Sequence, residues 1–107
     1  MKASLKKRLE ADGWRVGTVQ EFLGLSDAEV ELIEIRLALG DGLRKRRRAA
    51  RITQATFAKR LKSSQSRVAK MEAGDTTVSF ELLIRAHLVL GATRRDIGRM
   101  LAARTAA

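Results

Sequence analysis

The stretch with the clearest chemical potential is SSQSRVAKMEAG, residues 63–74. If it forms a helix, only Val68 and Met71, three residues apart, give it an apolar face. The other side then carries amide, hydroxyl, guanidinium and ammonium groups, from Gln65, Ser66, Arg67 and Lys70. These groups can donate and accept hydrogen bonds, but they provide no nucleophile paired with a base, as nucleophilic catalysis would need. The stretch is therefore predicted to bind an external polar surface.

The charge of the chain indicates what kind of surface that is. The 107 residues carry a formal net charge of +10, which points to a polyanionic partner, either nucleic acid or anionic lipid. The excess is concentrated, because residues 1–41 sum to −2, residues 42–72 to +10 and residues 73–107 to +2. The polar stretch lies in the basic third of the chain.

The composition also excludes several kinds of site. The chain has no Cys and a single His, so it offers neither a disulfide nor a thiolate metal site. His87 is interpreted as a core or interface histidine, and Glu29, Glu31 and Glu34 as a solvated helix face. No phosphate-binding glycine loop or catalytic motif is present, so we expect no enzyme activity, no metal and no cofactor.

Nothing in the sequence suggests a membrane or an export route. No segment approaches the run of about 20 apolar residues that spans a bilayer, and the first residues lack an apolar run of signal-peptide length. A cytoplasmic protein without membrane association is expected.

The periodicity of apolar residues is helical, and the chain has no Pro, so an all-α fold is predicted. Residues 1–26 are expected to form an N-terminal helical extension with a small cluster of apolar side chains. Ser26 and Glu29 match a capping box that opens one long helix from about Asp27 to Ala50, with a weak point at its glycines, Gly40 and Gly42. The predicted cluster contains Trp14, Val16, Phe22, Leu23 and Leu25.

Four shorter helices are predicted after the long one. Thr53 is a cap candidate for the first, and the second covers Gln65 to about Ala73 and stops at Gly74. Ser79 caps the third, and Thr93 with Asp96 forms another capping box before the fourth. Residues 27–107 are therefore assigned to one helical domain.

Two short helices separated by about three polar residues, after a basic helix, are typical of a helix-turn-helix. The sequence TQATFAKRLKSSQSRVAKMEAG, residues 53–74, resembles the phage-repressor-like (XRE) helix-turn-helix family. The pattern covers roughly residues 43–101. The resemblance implies a lambda-repressor-like five-helix domain that binds double-stranded DNA. The matching positions are Thr53, Gln54, Ala58, Gln65, Val68, Glu72 and Gly74.

The resemblance also implies roles for individual residues. In this family the start of the second short helix enters the major groove, where amide groups suit adenine and cationic groups suit guanine. Gln65, Ser66 and Lys70 are thereby assigned to base edges and Arg67 to a base or a phosphate, with helix capping as the alternative for Gln65 and Ser66. Gln54 matches a phosphate-binding position, and Arg44, Arg46 and Arg51 are plausible backbone contacts. The DNA-binding set is Gln54, Ser64, Gln65, Ser66, Arg67, Lys70, Arg44 and Arg51.

Two further positions have structural interpretations. By the family pattern Arg47 of the long helix lies opposite Glu72 of the second short helix. A buried ion pair between these two helices is therefore predicted. Lys62 occupies a turn position that many members fill with Gly. A left-handed backbone at Lys62 costs of order 1 kcal/mol, so the turn is either strained or slightly different.

The leading hypothesis is a sequence-specific transcriptional regulator that represses an inverted-repeat operator as a homodimer. Apolar positions in residues 80–90 and 97–101 are expected to contribute to the contact between subunits. One alternative is an antitoxin whose residues 13–40 bind a protein toxin, because that segment is similar to extensions of XRE-type antitoxins. Another is a general nucleic-acid binder without sequence preference.

Overall fold

The computed structural model describes residues 21–103. Within this range the helices are joined by short turns and no strand is present, which confirms the all-α prediction. Residues 1–20 of the predicted N-terminal extension, with Trp14 and Val16, lie outside the described residues. The helices are α1 (Asp27–Ala49), α2 (Gln54–Leu61), α3 (Gln65–Ala73), α4 (Phe80–Val89) and α5 (Arg94–Ala102).

Hydroxyl side chains define where these helices begin. Ser26 and Thr93 each accept from the backbone three residues on and form the predicted capping boxes with Glu29 and Asp96. The hydrogen bonds from Thr93, with one from Arg99, lower the pKa of Asp96 to about 2. The other three helices each have a single hydroxyl cap, from Thr53, Ser64 and Ser79.

The long helix α1 is the element against which three of the other four described helices pack. It contacts α3, α4 and α5, while α2 contacts α3 and α4. As predicted, α1 continues through Gly40 and Gly42, and both glycines mark close contacts with neighbouring elements. A Cβ atom at Gly40 would lie 2.6 Å from the Met71 carbonyl oxygen in α3, and one at Gly42 would lie 2.6 Å from Met100 Sδ in α5. The two glycines allow this approach of the helices.

A single apolar core lies between the helices. Val68 and Met71 are fully buried in it, so α3 faces inward with the side that the sequence predicts. Ala58 of α2 is also buried, consistent with a tight crossing of α2 and α3. The other members of the core cluster are Leu39, Leu43, Phe57, Val78, Leu83 and Ala86.

Four titratable side chains are buried among residues 21–103, and two of them, His87 and Glu34, lie outside the pair of Arg47 and Glu72. His87 is a core residue as predicted, and its Nε2 lies 2.8 Å from the Leu39 carbonyl oxygen. Burial lowers the pKa of His87 below its ordinary value of 6.5, and the nearby charge of Arg46 lowers it further. The interpretation of Glu34 as solvated is wrong, since Glu34 is only 5% exposed. Glu34 follows the buried Val30 by four residues and so shares its inward face.

The N-terminal end of the described range exposes apolar side chains. Residues 21–23 are helical, and this helical segment ends at Gly24, whose φ is +66°. Phe22 is 85% exposed and Leu23 is also exposed. The apolar cluster expected around them includes residues outside the described range, and it stays a prediction.

Lys62 ends α2 in the left-handed conformation, with φ 53° and ψ 46°. Because a side chain is strained in this conformation, Lys62→Gly is expected to raise the free energy of unfolding by about 1 kcal/mol, measured by urea denaturation. Lys62→Ala is the matched control, since alanine keeps the Cβ atom and should give no comparable gain. Equal stabilisation by both variants would contradict backbone strain as the cause.

Candidate nucleic-acid interface

The outward side of α3 carries the polar side chains that the sequence places there. Gln65, Ser66, Arg67 and Lys70 are all exposed, while Val68 and Met71 on the opposite side are fully buried. The apolar residues therefore determine the rotation of α3 about its axis. As a result, hydrogen-bonding groups of several chemical types face solvent together along two turns of helix.

The beginning of α3 is capped by Ser64. Its hydroxyl accepts from the Arg67 backbone N–H at 3.2 Å and lies 3.2 Å from the Ser66 hydroxyl. The alternative that Gln65 and Ser66 are capping residues is wrong, because they are the first two residues of the helix and Ser64 provides the cap. The Gln65 side chain thus stands at the solvent-facing start of α3.

A buried network of hydrogen bonds joins α1, α2 and α3, and it contains the predicted pair of Arg47 and Glu72. Arg47 Nε donates to Glu72 Oε2 at 2.5 Å and Arg47 Nη2 to Glu72 Oε1 at 3.0 Å. Arg47 Nη1 also donates to the Ile52 carbonyl oxygen at 2.9 Å. Hydrogen bonding to Glu72 raises the pKa of Arg47 above its ordinary value. Arg47 and Glu72 thus connect the end of α1 to the end of α3.

Gln54 belongs to the same network. It is the first residue of α2, and its amide nitrogen donates to Glu72 Oε1 at 3.1 Å. Because an amide nitrogen carries two hydrogens, the second remains available on this half-buried side chain. The backbone N–H groups at the start of α2 also have no carbonyl acceptor within the helix. This end of α2 is thus suited to bind an anion.

The basic run of α1 is less available than its sequence suggests. Asp41 Oδ1 lies 3.0 Å from Arg44 Nη2, and Asp41 Oδ2 lies 3.1 Å from Lys45 Nζ. Arg46 Nη2 lies 3.6 Å from Asp96 Oδ2 of α5. With Arg47 bound to Glu72, each of the four cations at positions 44–47 faces a carboxylate.

The remaining cations of this region lie around the end of α1. Arg48 is exposed, and so is Arg51 in the turn before α2, with φ 58°. Arg46 packs toward α5, as its contact with Asp96 shows, and its Nε atom is buried. Of the three arginines predicted as backbone contacts, Arg44 and Arg51 are exposed and Arg46 is half-buried.

The sequence interpretation missed one residue that supports this surface, Arg36 of α1. Its Nη1 donates to the carbonyl oxygens of Asp75 at 3.2 Å and of Val78. Its guanidinium carbon lies 4.2 Å from the centre of the Phe80 ring, a cation–π distance. Arg36 therefore attaches α1 to the loop that follows α3 and to the start of α4. Its only sequence signal is a single cation in an apolar and acidic segment.

Comparison with protein families gives a match that covers more than half of the chain. The model of a helix-turn-helix family, HTH_3, matches residues 43–97, from the second half of α1 into α5. The match confirms the resemblance to XRE-type regulators and the lambda-repressor-like fold. Comparisons with curated proteins and with solved structures gave no match. Between residues 21 and 103, no helix is long and apolar enough to cross a membrane.

Proposed function

Because the chain belongs to the XRE-type helix-turn-helix family of DNA-binding transcriptional regulators, we propose that it represses transcription from an inverted-repeat operator as a homodimer. The observation that carries this proposal is the exposed polar side of α3. The core and the Arg47–Glu72 pair hold this helix in place, so its side chains meet DNA in a fixed arrangement.

The DNA contact proposed for each residue follows from the chemistry of its side chain. Gln65, Ser66 and Lys70 contact base edges in the major groove, and Arg67 contacts a base or a phosphate. Contacts to the phosphate backbone orient the protein on the duplex without reading sequence. The residues proposed for the backbone are Gln54, Ser64, Arg44 and Arg51.

Gln65→Ala combined with Lys70→Ala is expected to abolish the preference for an operator selected from a random DNA pool. Each bidentate base contact contributes about 1–3 kcal/mol of discrimination, and both side chains are exposed. Helicity and thermal melting should therefore stay unchanged. Affinities for the selected operator and for a random duplex of equal length measure the effect.

Lys59→Ala is the control, since Lys59 is an exposed cation of α2 outside the proposed reading set. It should leave the ratio of the two affinities unchanged. If the double variant keeps its operator preference, the assignment of α3 as the reading helix is refuted. Equal binding of the wild type to selected and random DNA would instead favour a general nucleic-acid binder.

The exposed apolar side chains of α4 and α5 support the homodimer. Leu88, Val89 and Leu101 are large and exposed, and burial against a second subunit would remove them from water. A dimeric helix-turn-helix protein binds two half-sites about one DNA turn apart. A palindromic selected consensus would support this arrangement, and a single half-site bound by a monomer would contradict it.

The N-terminal side of the described range favours a second candidate function, that of an antitoxin. Phe22, Leu23 and Leu32 are exposed apolar residues, and acidic residues surround them in the sequence. Such a surface suits a cationic protein toxin. Co-expression with the product of an adjacent gene tests this function, with Phe22→Ser as the variant that should weaken the complex. Separate elution of the two wild-type proteins would contradict it.

A further inference from the structure

Asp41 is an acidic residue at the start of the basic run of α1. Its two carboxylate oxygens contact different cations, Arg44 at 3.0 Å and Lys45 at 3.1 Å. Partial burial alone would raise the pKa of Asp41, but hydrogen bonds from Lys45 and Arg44 lower it. The carboxylate is therefore ionised near neutral pH and interacts with two cations at once.

The contact between Asp41 and Arg44 bears on DNA binding because of where Arg44 lies on α1. Arg44 lies four residues after Gly40 and three before Arg47, so the three share one side of the helix. Gly40 approaches the Met71 and Glu72 carbonyl oxygens of α3, and Arg47 binds Glu72. Arg44 thus lies on the side of α1 that faces α3, and its side chain is 46% exposed.

We infer that Asp41 lowers the affinity of this protein for the DNA backbone, because its carboxylate competes with phosphates for Arg44 and Lys45. The inference rests on the proposed function only in that DNA is placed against α3. A cation that binds a phosphate must leave Asp41 or be shared with it. The competition weakens phosphate contacts without preventing them, since exposed ion pairs are individually weak.

The other carboxylates that bind cations in residues 39–103 have different surroundings. Glu72 is buried and connects three helices. Asp96 completes the capping box of α5. Glu81 pairs with Arg85 within α4 at 3.1 Å, a surface pair with the same spacing as the pair of Asp41 and Lys45. Asp41 is distinguished by holding exposed cations beside the proposed reading helix.

Asp41→Asn tests the inference with a random-sequence duplex of about 20 base pairs over a series of salt concentrations. An exposed ion pair corresponds to a factor of about 1.5 to 5 in an equilibrium constant, so the loss of both pairs of Asp41 is expected to raise the affinity by about twofold to 25-fold. The plot of log affinity against log salt should steepen by about 1 to 2, because each added phosphate contact contributes about 0.9. Thermal melting verifies that the variant is folded.

Two controls separate competition from net charge. Glu81→Gln adds the same charge by releasing Arg85 on α4, and it should change the affinity much less than Asp41→Asn. In a background with Arg44→Gln and Lys45→Gln, Asp41→Asn should have almost no effect, because the competing cations are absent. An unchanged affinity in Asp41→Asn, an equal rise in Glu81→Gln, or a full rise in the background without the cations would overturn the inference.

The experiment also separates this inference from the proposed function. The random duplex measures backbone affinity without any reading of sequence. If the wild type prefers no operator but Asp41→Asn binds the random duplex more tightly, the proposed function fails and the inference stands. If the wild type reads an operator and Asp41→Asn behaves like the wild type, the inference fails and the proposed function stands.

Discussion

Arg47→Met is expected to lower the free energy of unfolding by about 3–5 kcal/mol, because it leaves a buried carboxylate without its counter-charge. The Glu72 side chain is only 4% exposed and accepts two hydrogen bonds from Arg47. The Ile52 carbonyl oxygen also loses a donor. Urea denaturation of the wild type and the variant measures the difference.

The double variant Arg47→Met with Glu72→Met is the control for this prediction. Replacing both partners with apolar side chains removes the uncompensated charge, so much of the lost stability should return. The single variant should also lose DNA binding by unfolding, whereas Gln65→Ala with Lys70→Ala should lose only its operator preference and stay folded. A loss of less than about 1 kcal/mol in Arg47→Met would contradict a desolvated pair.

Gly40→Ala is expected to destabilise the protein by about 1–3 kcal/mol or more, opposite in sign to the usual effect of this substitution in a helix. Alanine inside a helix is generally more stable than glycine by about 1 kcal/mol. At Gly40, however, the added Cβ atom would lie 2.6 Å from the Met71 carbonyl oxygen and 2.9 Å from that of Glu72. Both are backbone atoms, so α1 and α3 would have to move apart.

Gly98→Ala is the matched control, because a Cβ atom at Gly98 of α5 has nothing within 4 Å. This variant should gain up to about 1 kcal/mol from helix propensity alone. Urea denaturation of both variants measures whether each substitution raises or lowers the free energy of unfolding. A stabilised Gly40→Ala would contradict the close approach of α1 to α3, and it would leave Gly40 as a weak point of the helix.

The limits of the helices were predictable because short-range chemistry determines them. The hydroxyl of Thr53, Ser79 or Thr93 accepts from a backbone N–H three residues away, so the signal lies within four positions of sequence. The end of α3 at Gly74 is similarly local, since its φ of +73° suits glycine. These features needed no knowledge of the rest of the fold.

The contacts that hold α3 in place were harder to predict, because they join distant parts of the chain. Arg36 binds carbonyl oxygens of residues 75 and 78, and a backbone acceptor leaves no side-chain signal in the sequence. The pair of Arg47 and Glu72 came from the family resemblance, and the helical pattern alone would not have identified it. The assignments of Gln65 and Lys70 to bases also came from that resemblance and stay a prediction.

Net charge alone overstates how many cations can meet DNA. The spacings from Asp41 to Arg44 and Lys45 are three and four residues, so these two pairs were visible in the sequence as neighbours on a helix. The contact between Arg46 and Asp96 was not, because it depends on how α5 packs against α1. The composition therefore predicts the sign of the surface charge more reliably than the number of cations that can contact DNA.

The length of α1 has a consequence for the design of chimeric proteins that carry this helix-turn-helix domain. The family match begins at residue 43, yet Leu39 is fully buried in the core, Gly40 lies under the end of α3, and Arg36 secures the loop behind it. A graft cut at the homology boundary would discard all three. The part of the chain that packs as one structure begins before the part that matches the family, so a chimeric protein should include the whole of α1.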